Sequence, residues 1–89
     1  MLRAITTKQF EKDMKLAKKR GKELNKVFTL MRLILNEETI PLKNRDHSLT
    51  GNYVNRRECH IEPDWLLIYK LEDEEVIFER TGTHSDLFR

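Results

Sequence analysis

The sequence predicts an α+β fold: a strand, two helices and three further strands in an antiparallel meander, with the helical hairpin on one face of the sheet. Three observations carry this. Apolar residues in the first third recur at steps of three and four, the period of a helix with one buried face. Those in the last third alternate with polar ones, the period of a half-covered strand. Between the two lies a stretch with neither period, rich in Pro, Asn, Asp, Ser and Gly, residues that favour turns.

Taken in order, Leu2 to Ile5 reads as a short opening strand. Thr6 followed by Gln9 fits a capping box, and Ile5 is placed to pack on Phe10 as a hydrophobic staple, so a helix is expected from about Thr7. Phe10, Met14 and Ala17 give it a buried stripe. Lys8, Lys12, Lys15, Lys19 and Lys22 form a basic ridge on another face. Gly21 supplies the left-handed position that ends the helix. Leu24, Val27, Phe28, Met31, Ile34 and Leu35 mark the core face of a second helix, with Asn25, Lys26, Thr29 and Arg32 facing away. From Glu37 to Gly51 the chain reads as loop, anchored by Leu42 and Leu49 and carrying His47. Three strand-like runs follow, Asn52–Ile61, Trp65–Leu71 and Glu75–Gly82, joined at Pro63 and at the acidic turn Glu72-Asp73-Glu74.

A chain of 89 residues with no repeats or linkers is expected to form one domain over residues 1–89. No apolar run is long enough to span a membrane, and the N-terminus lacks the pattern of a secretory signal. A single cysteine, Cys59, allows no internal disulfide, so a cytoplasmic protein is expected. The formal net charge of +2 conceals a segregation. Residues 1–45 carry 12 Lys and Arg against 5 Asp and Glu, and residues 46–89 carry 5 against 10. That asymmetry suits a polyanionic partner for the first half, and equally a solvated helical surface.

Strand alternation sorts the chemistry-bearing side chains by face. Glu58 and His60 oppose Cys59 and Ile61; Leu66 and Ile68 oppose Trp65, Leu67 and Tyr69; Arg80 is expected to share a face with Val76 and Phe78. Meander topology brings His60, Asp64, Trp65, Arg80 and His84 to one end of the sheet, with the His47 loop able to close over them. Imidazole both takes and gives protons near neutrality. An arginine neutralises charge gathering on a phosphate, and an exposed Trp or Phe offers a plane for an unstacked base. Such a set suits RNA cleavage with the 2′-hydroxyl as nucleophile, which excludes DNA. Each group also has a plainer use: His47 capping its loop, Asp64 bonding the turn after Pro63, Trp65 in the core, Arg80 paired with Glu58 or Glu62. The spacing of His47, His60 and His84 matches no compact zinc motif, which leaves open only a site assembled from distant segments, and no phosphate-binding glycine loop is present. No metal or cofactor is expected.

Three ordered motifs carry a family resemblance: Asp46 to Gly51, Arg57 to Tyr69 and Arg80 to Phe88. They resemble the YafQ branch of the RelE-like toxins in the RelE/ParE superfamily, the toxic halves of bacterial type II toxin–antitoxin pairs. The resemblance implies a RelE-like fold and a ribosome-dependent mRNA endoribonuclease, an mRNA interferase. It implies a cognate antitoxin as partner, and operator DNA bound only through the antitoxin complex. It places functional roles on His47, His60, Asp64, Trp65, Arg80, His84 and Phe88, with His84 as general acid and His47, His60 or Asp64 as base. The ridge of Lys8, Lys12, Lys15, Lys19 and Lys22 would then contact ribosomal RNA. Ser48 departs from the proline more usual in the family, a loop difference that leaves the chemistry intact.

Overall fold

A computed structural model describes the protein over residues 1–88, apart from the Asn52 side chain; Arg89, the last residue of the expected domain, lies outside that range. The chain runs β1 (Arg3–Thr6), α1 (Lys8–Lys19), α2 (Leu24–Leu35), β2 (His47–Ser48), β3 (Arg57–Glu62), β4 (Trp65–Leu71), β5 (Glu75–Gly82) and α3 (His84–Leu87). One sheet takes all five strands in the order β1-β5-β4-β3-β2. The expected antiparallel meander is β3-β4-β5, but its first strand starts at Arg57 and not at Asn52, because Gly51–Tyr53 forms a 3-10 turn and Asn55 takes a left-handed φ of 70°. β1 adds to it in parallel beside β5 and β2 antiparallel beside β3. Among the described residues, no helix is long and apolar enough to cross a membrane.

The start of α1 falls one residue later than the sequence suggested. Thr7, not Thr6, caps the helix by accepting a 2.9 Å bond from the Phe10 backbone N–H. Thr6 is the last residue of β1 and its hydroxyl donates to Glu11 instead. The Thr6–Gln9 box therefore does not form, and Ile5 is left 40% exposed. Gly21 adopts a φ of 81° just beyond the helix, as its position required.

The helical pair covers one face of the sheet. Phe10, Ala17, Val27, Leu30 and Ile34 pack there against Cys59, Ile61, Trp65, Leu67, Tyr69, Val76 and Phe78. Two apolar expectations fail. Phe28 lies at the edge of its helical stripe and is 47% exposed, while Leu30 takes the core position. Leu42 opens a 3-10 turn (Leu42–Asn44) and is 95% exposed; the buried residue of that turn is Asn44. The opposite face carries a much smaller cluster, Leu66, Ile68 and Leu87 with Leu49 and Tyr53 packed on it.

Two register shifts place the site. In the β3–β4 pairing, His60 opposes Leu66 and Glu62 opposes Trp65, so Ile61 is an extra residue. In the β4–β5 pairing, Tyr69 opposes Phe78 and Ile68 opposes Arg80, so Glu79 is extra. The second shift overturns the expected alternation. Arg80 leaves the face of Val76 and Phe78 and joins the row of Ile68.

Candidate active site

Residues paired across neighbouring strands share a face, and on the open face they form two rows. His47 opposes Glu58, Glu58 opposes Ile68 and Ile68 opposes Arg80. The next row runs His60, Leu66, Gly82. Beyond Gly82 the chain enters α3, whose Thr83 cap forms a reciprocal box with Asp86 and points His84 back toward β3. The ring centroids of His60 and His84 are 5.7 Å apart, and those of His47 and His60 are 6.3 Å apart. Three histidines from distant segments thus stand side by side.

Each histidine is held through Nδ1 by a group that only accepts. His47 Nδ1 lies 2.7 Å from the Arg45 carbonyl and His60 Nδ1 lies 3.3 Å from the Pro63 carbonyl. His84 Nδ1 lies 2.6 Å from Asp64 Oδ1, which also accepts the His84 backbone N–H at 2.9 Å. Acceptors at all three Nδ1 atoms place a proton on each of them. The three Nε2 atoms are thereby left to take or give the second proton. The Glu58 carboxylate sits between two of these, 3.3 Å from His47 Nε2 and 3.5 Å from His60 Nε2. A carboxylate there stabilises a proton arriving on either ring. Glu58 is only 5% exposed, and a buried charge needs such partners.

Asp64 accepts from His84 twice. The His84 backbone N–H and then its ring hold the Asp64 carboxyl below its usual range, which suits orienting an imidazole better than abstracting a proton. Arg80 donates from Nε to Asp13 Oδ2 at 2.8 Å and from Nη2 to Asp13 Oδ1 at 3.3 Å. The same carboxylate accepts the Thr81 backbone N–H. The arginine thus pairs with a nearly buried residue of α1, and with neither Glu58 nor Glu62.

Trp65 is not a stacking platform. It is 1% exposed on the helix-covered face, so no ring face is open to a base. Its Nε1 is buried without a partner, and Lys22 Nζ lies 5.5 Å from the ring centroid. The exposed aromatic beside the histidines is Phe88, 41% exposed, 6.4 Å from His84 and edge-on to Tyr53 at 5.4 Å. Of the basic ridge, Lys8, Lys12, Lys15 and Lys19 are exposed on α1. Lys22 lies beyond the helix and is engaged with Glu62 at 3.0 Å. Cys59 is buried on the helix side, where loss of water pushes its thiol up to about 12; it is a core residue and not a nucleophile.

Sequence reasoning missed Glu58, Asp13 and Tyr53. Glu58 was legible, since alternation put it beside His60. The contacts of Asp13 and Tyr53 depend on packing between distant segments. The chain spacing that argued against a metal site also gives way in space. Glu58, His60 and His84 each offer a ligand atom, and these atoms lie within 4.8 Å of one another. Two imidazoles and a carboxylate are a donor set suited to zinc or copper.

The model of the bacterial toxin YafQ of type II toxin–antitoxin systems matches residues 2–89. The chain belongs to the YafQ family. Over 82 residues it is 52% identical to the mRNA interferase toxin YafQ of Escherichia coli strain K12, covering 90% of this chain and 88% of that protein. The YafQ fold is shared in full with the toxin in the crystal structure of the E. coli DinJ–YafQ complex, with a TM-score of 0.92 at 46% identity and 100% coverage of both chains. A copper-bound mutant toxin from Helicobacter pylori superposes with a TM-score of 0.94 at 34% identity, covering 99% of this chain and 100% of that one.

Proposed function

We propose that residues 1–89 act as one catalytic domain, a ribosome-dependent mRNA interferase that cleaves translated message in the cytoplasm. The observation that carries the reading is the convergence of His47, His60 and His84 around Glu58 and Asp64, each ring held at Nδ1 and the Nε2 atoms of His47 and His60 set at the Glu58 carboxylate. One imidazole of the His47–Glu58–His60 group takes the proton of the RNA 2′-hydroxyl. The 2′-oxygen attacks phosphorus and the bond from phosphorus to the 5′-oxygen breaks. His84 gives its Nε2 proton to that leaving oxygen, and a 2′,3′-cyclic phosphate remains. Arg80, in the row of Glu58, stabilises charge on the phosphoryl oxygens. Phe88 offers a ring for the base of the downstream nucleotide.

No metal takes part in these steps, so chelator leaves cleavage unchanged. The similarity to the toxin of the DinJ–YafQ complex supports an antitoxin partner, with operator DNA bound only through that complex. The exposed row of Lys8, Lys12, Lys15 and Lys19 supports ribosomal RNA contact through α1. That row also favours a second reading, a translation inhibitor that binds the ribosome without cutting. His84→Ala separates the two. We expect it to fold as the wild type by circular dichroism and to yield no new RNA ends on programmed ribosomes by primer extension. Wild-type levels of cleavage by this variant would remove His84 from the chemistry. Growth arrest that survives His84→Ala but is lost on reversing Lys12, Lys15 and Lys19 would establish the binder.

A further inference from the structure

A groove of about 440 Å³ opens beside His60, lined by Lys26, Lys43, Asn44, Arg45, His60 and Pro63 among others. It is built into the site. Asn44 is 8% exposed, and its side-chain amide donates a 2.6 Å bond to the His60 carbonyl. That bond ties the Leu42–Asn44 turn to β3 at the histidine itself. The next residue, Arg45, adopts left-handed backbone angles (φ 48°, ψ 48°). This conformation is costly for a residue with a side chain and is retained where the surroundings demand it. Here the Arg45 carbonyl holds His47 Nδ1, and the residue lines the groove.

The charge of the groove is one-sided. Lys26, Lys43 and Arg45 face one carboxylate, Glu62, which is already paired with Lys26 at 2.8 Å and Lys22 at 3.0 Å. Among the described residues, no acidic group pairs with the side chain of Lys43 or Arg45. Unpaired cations beside a phosphoryl-transfer site bind the polyanionic backbone of the substrate strand. Among the described residues, no Phe, Tyr or Trp lines this groove, whereas Phe88 stands beside His84 and packs on Tyr53.

We propose that this groove takes the phosphates of the message on the 5′ side of the cleaved bond, which fixes the direction in which RNA crosses the site. The inference rests on the proton roles given above. The 2′-hydroxyl belongs to the upstream nucleotide and meets the His47–Glu58–His60 group, which borders the groove. The leaving 5′-oxygen belongs to the downstream nucleotide and meets His84, which borders Phe88. The strand therefore enters past Lys43 and Arg45 and leaves past Phe88.

The test uses a message on programmed ribosomes with a single 2′-deoxy nucleotide at the cleaved position, so that it binds without being cut. A 4-thiouridine is placed on either the 5′ or the 3′ side of that nucleotide, and the crosslinked toxin peptide is mapped after irradiation. We expect the 5′ probe to label the segment around Lys43–Arg45 and the 3′ probe to label the segment around Phe88. The reverse assignment, or no label on the Lys43 segment, would overturn the proposal. Lys43→Glu should weaken binding of the uncut message and flatten its log–log salt dependence by about 0.7 for each phosphate no longer neutralised. If Lys43→Glu leaves message binding untouched and instead weakens an acidic antitoxin segment, the groove is a protein-docking surface and the proposal fails. The unmodified message serves as a separate control. Absence of new ends with wild-type toxin would defeat the catalytic reading, while the crosslinks would still report on the groove.

Discussion

The two faces of the β3-β4-β5 sheet are made by the same strands and do opposite work. On the helix-covered face Cys59, Trp65, Leu67, Tyr69, Val76 and Phe78 are all within 2% of complete burial. On the open face stand Glu58, His60 and Arg80, with a small apolar cluster of Leu66, Ile68 and Leu87, joined by Leu49 and Tyr53, as anchor. Period-2 alternation means that one strand can hold a rigid core with every second residue and present titratable groups with the others. The titratable groups stand on the face that the α1–α2 pair leaves uncovered, and the packed face gives them a rigid base.

The comparison breaks most severely if a core residue is lost. Trp65→Ala should cost about 3–5 kcal/mol of stability, seen as a large drop in the unfolding midpoint, and should lower cleavage through loss of the fold. Trp65→Phe keeps a ring and removes an unpaired N–H, so it should recover most of the stability and cleave nearly as wild type. A Trp65→Phe protein that is fully stable and inactive would return Trp65 to the RNA-binding surface.

A change on the open face should do the reverse. Asp64→Asn removes the charge that orients His84, and is expected to lower single-turnover cleavage by about 10²-fold, the low end for a general acid or base. The unfolding midpoint should move little, because Asp64 is largely exposed. Equal losses in stability and activity would mean that Asp64 is structural.

The smallest effect concerns the seam between the two regions, where Lys26 and Lys22 hold Glu62 and Arg20 holds Asp86. Lys26 and then Lys22 hold the Glu62 carboxyl below its usual range, and Arg20 does the same to Asp86 more strongly. A carboxylate with a depressed folded-state pKa contributes stability above its unfolded value, about pH 4, and loses it as pH falls through the folded value. Thermal unfolding measured below pH 4 should therefore show a declining midpoint, with a shallower decline in Asp86→Asn. An unchanged slope in that variant would show that the Arg20–Asp86 pair contributes nothing to acid stability.

Much of this was readable in the sequence because the two periodicities are strong. The helical stripes, β4, β5 and the separation of Leu66 and Ile68 from Trp65, Leu67 and Tyr69 all follow from spacing. The burial of Trp65 was legible for the same reason, since alternation put it with Leu67 and Tyr69. Arg80 was misplaced because a bulge adds one residue without altering composition, and every side chain beyond it changes face. The Arg80–Asp13 pair joins β5 to α1, and no local rule connects residues so far apart in sequence. Phe28 and Leu42 show the remaining limit. Hydrophobicity states what a residue would gain by burial, and packing decides which residues obtain it.

The central claim is that Glu58, on the open face, serves proton transfer and not the stability of the sheet. The direct test is Glu58→Gln, which keeps the shape and removes the charge between His47 and His60. Its unfolding midpoint and its single-turnover cleavage on programmed ribosomes are measured together across pH. We expect a midpoint close to wild type, cleavage reduced by about 10²-fold or more, and a basic limb of the pH–rate profile altered from that of the wild type. A variant that cleaves at the wild-type rate with an unchanged profile, or one that loses activity only because it unfolds, would contradict the account.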